Sequence, residues 1–345
     1  MKRKLVLCGV ALMLIFGLIA AGCAAPAPAE LPRTLTLGTM PVGMIVNAQA
    51  AGIADICSKY TPISIKVYPA TNEMVWVPMT VTGEIQLGVA SAVAIRQAYL
   101  GSYVFKGIAE KAGVKSFPLR IVAGGSPLRV NLFVPGDSPA KTIADLKGTR
   151  HVTFAEGTHF VLYTEALLAN AGLTFDDITP VPVANPVESV RAVMDGRADA
   201  AQVAVGAPIA TEAVANIDLR WLPVDPSPAA VKRMKDVVDV AYVAEVPGGV
   251  HIGIPEPQLL MHLDVVFVAH EDISEAAVYE LAKALWENND ELLEKPGLFE
   301  WTPDKYLATE HRVPYHPGAI KFYKETGLWT KEMEEFQKSV LAEKP

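Results

Sequence analysis

His151-Val152-Thr153-Phe154-Ala155-Glu156-Gly157-Thr158-His159-Phe160 reads as a short strand, a glycine turn and the start of a helix. The helical pattern runs over 160–171 and closes at Gly172, a residue suited to the left-handed position after a helix. A strand follows over 178–183. Asn185-Pro186 and Glu188 then open a helix over 187–194, with an N-cap side chain, proline in the first turn and a capping acid. Gly196 precedes a last strand over 198–205. The same order stands earlier in the chain. Residues 35–37 are a strand ending at Gly38-Thr39, and a helix is expected over 47–57. Ile63-Ser64-Ile65-Lys66-Val67 alternates with period two, as a half-buried strand does. A helix is expected over 73–81, then Gly83, then a strand over 85–90.

Strands alternating with helices imply parallel α/β units, and two such units imply two similar lobes. Ligands of open α/β sheets sit beyond the carboxyl ends of strands. The facing loops 38–43 and 156–159 therefore predict a cleft. The candidate contacts lie just past strand ends or at helix starts. They are Thr39, Met40, Gly43 and Met44; Thr71, Asn72, Glu73 and Trp76; and Ser91 and Ala92. The second repeat adds Thr158, His159 and Phe160, then Gln202 and Gly206. Backbone N–H groups at 158–160 open a helix whose positive end suits a carboxylate. Thr71, Asn72, Ser91 and Gln202 supply neutral hydrogen bonds, and Met40, Met44, Trp76 and Phe160 cover an apolar part. Trp76 fits packing in the core equally well. Arg129 is the nearest cationic candidate and fits a surface position equally well.

The later chain completes the plan. Leu263-Asp264-Val265-Val266-Phe267-Val268-Ala269 is a nearly continuous apolar strand of the kind buried on both faces. Ser274 caps a helix with a core stripe at Val278, Leu281, Ala282, Leu285 and Trp286. Two more helices are expected over 318–326 and 330–341. The segments 132–134 and 260–268 are the expected crossings between lobes. The first lobe is then 33–134 plus 260–345, and the second is 135–259.

Composition narrows the function. The 345 residues are 51% hydrophobic and 20% charged, as in ordinary globular chains. Charge is 30 basic against 38 acidic, and 30 less Lys2, Arg3 and Lys4 leaves 27 against 38. A net acid without a basic run argues against grip on nucleic acid phosphates. Enzyme signatures are weak. The sequence has no HExxH pair, no zinc-spaced cysteines, no GxSxG elbow and no Walker loop. His262 and His270 bracket one strand and stand ~26 Å apart at strand rise, too far to share an ion. Cys57 falls in a helix pattern and reads as a small buried hydrophobe. We expect no cofactor, no metal and no catalysis.

The N-terminus reads as an export signal over residues 1–22. Met1-Lys2-Arg3-Lys4 is basic, 5–21 is apolar, and Ala20-Ala21-Gly22-Cys23 follows. Gly22-Cys23 matches the end of a bacterial lipobox, with Cys23 lipidated and 23–32 a tether rich in alanine and proline. The expected location is outside the cytoplasm, on a membrane by its lipid.

Four stretches carry a family resemblance. They are the opening strand and loop 35–43, the segment 70–90 with Thr71-Asn72-Glu73 and Gly83-Glu84, and Asp145-Leu146-Lys147-Gly148. The fourth is Pro314-Tyr315-His316-Pro317-Gly318-Ala319 with Tyr323-Lys324-Glu325-Thr326-Gly327. Together they resemble the TAXI class of solute receptors of TRAP transporters. That resemblance implies an α/β, bilobal periplasmic-binding-protein fold of type II kind with a hinge. It implies a monomeric receptor that delivers a small organic acid, carboxylate or amino-acid-like, to TRAP membrane permease subunits. Residues 41–46 are more apolar than the family loop, and Met74 stands where an asparagine is usual, which weighs against an amino acid. The alternative is the binding protein of an ABC importer of similar fold, resembling the thiamine-precursor or sulfonate group. An enzyme built on this fold is a third reading.

The lipid expectation has a direct check. The protein should partition into detergent, and Cys23→Ala should release it to the soluble fraction. Each buried acyl CH₂ contributes ~0.8 kcal/mol, so a diacyl anchor with N-acylation suffices. An unchanged distribution sinks the lipid assignment.

Overall fold

The computed structural model describes residues 31–344 except 156, 157, 239 and 310. The export signal, Cys23 and most of the tether lie outside the described residues, as do Glu156 and Gly157 of the second-repeat loop.

The first repeat is β1 (Thr34–Thr39), α1 (Ile45–Tyr60), β2 (Ser64–Pro69), α2 (Glu73–Trp76) and β3 (Leu87–Ser91). β1 pairs in parallel with both β2 and β3, so the strand order is 2-1-3. After it come α3 (Ala92–Leu100), α4 (Lys106–Ala112) and the long β4 (Leu119–Val134). The second repeat is β5 (Arg150–Phe154), α5 (His159–Asn170), β6 (Thr179–Val183), α6 (Pro186–Met194) and β7 (Ala201–Ala204). β5 pairs in parallel with β6, and a parallel bridge from His151 to Ala200 sets it beside the β7 segment. The order is 6-5-7, the same arrangement again. The repeated plan read from the sequence is therefore the architecture.

α7 (Pro208–Ile217), β8 (Arg220–Trp221), α8 (Pro228–Val237) and β9 (Tyr242–Val246) lead to β10 (Gln258–His270). β10 runs antiparallel against β3, and β4 runs antiparallel against β7. The two long strands also pair with each other, from Leu119 opposite His270 to Arg129 opposite His262. β4 changes partner between Arg129 and Val130, leaving β10 for β7 and β8. The chain ends in α9 (Glu275–Glu287), α10 (Asn289–Leu293), α11 (Pro317–Glu325) and α12 (Lys331–Ala342). Ser274 caps α9 as expected, its Oγ accepting from the Ala277 N–H, and Asn185 caps α6 through the Val187 and Glu188 N–H groups. Cys57 is fully buried.

The helix expected over 73–81 is shorter than read. α2 ends at Trp76, and a tight turn over Pro78–Thr80 follows. Pro78 has no N–H to continue the α-helical ladder. Trp76 is core. Its indole lies in a slot made by Gly38 of β1 and Gly88 of β3, which are direct partners in register. A Cβ at Gly88 would stand 2.3 Å from the ring, and one at Gly38 would stand 2.7 Å away. Gly88→Ala should therefore lower stability in urea unfolding by about 1–3 kcal/mol, the range for overpacking a filled core. An unchanged midpoint would mean that the indole can move aside.

Candidate solute cavity between the repeats

Matched elements of the two repeats close on one small cavity against β4. From the first repeat come Met40 and Met44 in the turn after β1, Glu73 at the start of α2, and Ser91 at the end of β3. Gly43 allows that turn, with φ +97°, and its carbonyl accepts from the Ile209 N–H of α7 at 3.2 Å. From the second repeat come Phe160 and Tyr163 on α5, Pro186 at the start of α6 and Gln202 on β7. Leu128 and Val130 of β4 form the floor at the point where that strand changes partner. The free volume is about 30 Å³, room for one or two waters. A solute of several heavy atoms enters only if the two repeats part.

Among the described residues, three polar contacts tie the repeats and the helices that follow them. The Ser91 and Tyr163 hydroxyls share a hydrogen bond at 2.8 Å. The His159 Nε2–H donates to Gln97 Oε1 at 2.7 Å. The third is the Ile209 to Gly43 bond. Gln202 is held by the Thr164 hydroxyl, which donates to its Oε1 at 2.7 Å. That contact fixes the amide, and its NH₂ is left as a donor.

Glu73 is the charged residue of the lining. It is only 5% exposed. Among the described residues no side chain donates a hydrogen bond to its carboxylate, and no cation stabilises it. Burial pushes its pKa up to about 7, opposed only by its own backbone N–H. His159 lies behind it, with Nδ1 3.9 Å from Glu73 Oε2 and without a hydrogen-bond partner among the described residues. Burial pushes the His159 pKa down to about 3. Burial is also the main cause that raises the Tyr163 phenol, with Glu73 adding to it. Among the described residues no Lys or Arg lines the cavity. A second anion 4 Å from ionised Glu73 would meet a repulsion of ~4 kcal/mol at an effective dielectric of 20.

Of the candidates read from sequence, Met40, Met44, Glu73, Ser91, Phe160 and Gln202 line this cavity. The others do not. The Thr39 hydroxyl donates into the first repeat, to Val46 O and Val89 O. Thr71 is exposed, and Asn72 precedes α2 without capping it through its side chain. Trp76 fills the glycine slot, and Ala92 begins α3. The Thr158 hydroxyl donates to Ala155 O and makes no cap bond to α5. Gly206 forms a turn at φ +80° facing Ile45 and His251. The guanidinium of Arg129 forks onto Glu300, at 2.5 and 2.7 Å, and offers no charge to the cavity. Sequence reading missed Val46, Leu128, Val130, Tyr163, Pro186, Val203 and Ala204. Tyr163 was reachable, since it lies three residues from Phe160 on one helix face.

Residues 50–327, more than half of the chain, match the model of the NMT1-like family. The chain belongs to the NMT1-like family. Similar solved structures share its fold at low identity. PhnD1 from Prochlorococcus marinus, solved with methylphosphonate, is 12% identical, with 86% of this chain and 99% of that one covered and a TM-score of 0.54. A structure described as a periplasmic transporter is 14% identical, covering 92% and 97%, with a TM-score of 0.51. The alkanesulfonate-binding protein SsuA from Xanthomonas axonopodis pv. citri, bound to MOPS, is 18% identical over 92% and 86%, with a TM-score of 0.47. The fold is that of the bilobal α/β periplasmic binding proteins, as expected. The family match also corrects the sequence reading. The TAXI assignment rested on four short stretches, and it gives way to the NMT1-like match over residues 50–327. The TRAP permease partner expected from it falls with it.

The burial of Glu73 has a signed consequence. Its folded pKa stands above the ordinary 4.5, so the native state holds this proton more tightly than the unfolded chain. Its contribution to stability therefore falls as pH rises from about 4.5 through about 7, and is level above that. Glu73→Gln removes that loss. The variant should gain on wild type between pH 5 and pH 8 by up to ~3 kcal/mol in denaturant unfolding. A difference that stays constant over this range would show that Glu73 titrates as an ordinary surface acid.

Proposed function

We propose that the chain is an exported receptor that captures one small solute between its repeats and passes it to an ABC importer. The observation that carries this reading is the cavity itself, walled by equivalent elements of both repeats and floored where β4 crosses between them. Membership of the NMT1-like family favours the ABC importer among the transporter partners considered. The partners are then an importer's membrane subunits and its ATPase. Lipid attachment at Cys23 would keep the receptor beside them. The oxyanions in the descriptions of PhnD1 and SsuA do not carry over. A cavity with Glu73 and no basic lining residue is a poor match to a phosphonate or sulfonate.

The test begins with native protein, extracted so that any bound small molecule is released and identified by mass spectrometry. Uptake of that compound by cells should stop when the gene of the importer's ATPase is deleted. Uptake that survives ATP depletion overturns the partner.

The small cavity adds a second expectation. Solute entry needs the repeats to rotate apart about β4 and β10, a hinge motion. Protein stripped of the extracted compound should scatter X-rays with a larger radius of gyration than protein resaturated with it. Identical curves at saturation would argue for a rigid cleft.

A further inference from the structure

We propose that the solute is a nitrogen compound whose N–H or ammonium group meets Glu73, with a small apolar body against Met40, Met44 and Phe160. The proposal names the solute class of the receptor argued above and rests on that reading. It replaces the organic acid expected from sequence.

Glu73 is buried, lines the cavity and receives no side-chain hydrogen bond from the described residues. Among those residues its own backbone N–H is the one donor to it, and a buried carboxylate held by so little is costly. A further donor has two sources, a proton on the carboxyl or a group on the solute. Neither side chain that faces Glu73 makes a hydrogen bond to its carboxylate. His159 and Tyr163 both reach towards it from α5. His159 has its Nε2 hydrogen committed to Gln97, and the nitrogen nearest Glu73 is the bare Nδ1, itself without a partner. Tyr163 shares its hydroxyl bond with Ser91. Two acceptors that receive no side-chain donor thus stand 3.9 Å apart beside the cavity.

The remaining polar lining is complementary. Two hydroxyl hydrogens, on Ser91 and Tyr163, serve one mutual bond, so one hydrogen is left over. Gln202 presents its NH₂ because its Oε1 is taken by Thr164. The cavity therefore asks for a donor at Glu73 and a neutral acceptor near Gln202. Between them the walls are the methionines and Phe160. A nitrogen-free acid reverses this pattern at Glu73 and meets no lysine or arginine in the lining.

The occupied site should be linked to pH. A cation is attracted to the ionised carboxylate only, and Glu73 ionises near pH 7. An aliphatic amine remains charged throughout that range. Its retention should therefore be about tenfold greater at pH 8 than at pH 6.

Equilibrium dialysis with mass-spectrometric readout tests this on the full chain, stripped of bound compounds. The panel holds 2-phenylethylamine, isobutylamine, benzamidine and acetamidine, the carboxylates 3-phenylpropionate and isovalerate, and the sulfonates 2-phenylethanesulfonate and isobutanesulfonate. It also holds any compound released from native protein. Retained compounds should carry an N–H donor, and Glu73→Gln should weaken their retention at pH 8 at least tenfold. Circular dichroism checks that the variant is folded, and its fold should be no less stable than wild type at that pH. Retention of nitrogen-free acids overturns the inference alone. So does retention of amines that Glu73→Gln leaves unchanged. Retention of no compound of any class overturns the receptor reading beneath it.

Discussion

The antiparallel pairing of β4 with β10 is the constraint on which the rest of the structure hangs. Each repeat is a parallel three-strand unit with one inner edge, β3 in the first and β7 in the second. An open edge leaves a row of unpaired backbone groups. β10 covers β3 and β4 covers β7, and because the two long strands also pair with each other, they tie the repeats into one body. The register between β4 and β10 shifts twice, opposite Asp264–Val266 and Phe267–Val268, with the extra residue in β4 each time. Irregularities of this kind bend a strand and increase its twist. The spine therefore turns as it leaves one sheet for the other. The cavity lies just past these shifts, on Leu128 and Val130, where β4 changes partner.

The repeated plan was legible because its signals are local. Glycine turns, period-two strands and caps at Asn185 and Ser274 do not depend on distant residues. β4 was not legible beyond its last residues. Gly124, Gly125 and Pro127 sit in its middle and read as a break in the sequence. They are a strand because of what packs on them. A Cβ at Gly125 would fall 1.9 Å from the Trp301 ring, and one at Gly124 would stand 2.6 Å from the Lys305 carbonyl. The glycines let the C-terminal segment lie directly on the spine, and that packing overrides the local preference.

The site shows the same division. The loops that hold it follow from the strand–helix alternation, and six of the candidate residues line the cavity. Which side chains turn inward depended on partners far away in sequence. Arg129 is absent from the lining because Glu300 takes its guanidinium. Trp76 is absent because Gly38 and Gly88 open a slot beneath it. Glutamate is almost never fully buried unless paired, so nothing local marked Glu73 as a buried acid. Its neighbour His159 was read as a ligand contact and stands instead behind the carboxylate.

An unpaired buried carboxylate does not contribute stability to this fold, because desolvation disfavours its charged form and no cation offsets that. A glutamine or an apolar side chain of similar volume would serve the packing better. Proteins hold such locally unfavourable groups where function needs them, and stability is recovered elsewhere. Glu73 belongs to the first repeat, while His159, Phe160 and Tyr163, which close over it, belong to the second. In the proposed receptor, closure would bury the carboxylate, and a solute donor placed against it would offset the cost of that burial. The same residue can thus make the closed arrangement depend on the solute. Without a donor, closure over an ionised Glu73 is penalised, and with one the penalty is removed. In the proposed receptor that would couple recognition to hinge motion through one charge, with no need for a wide network between the repeats.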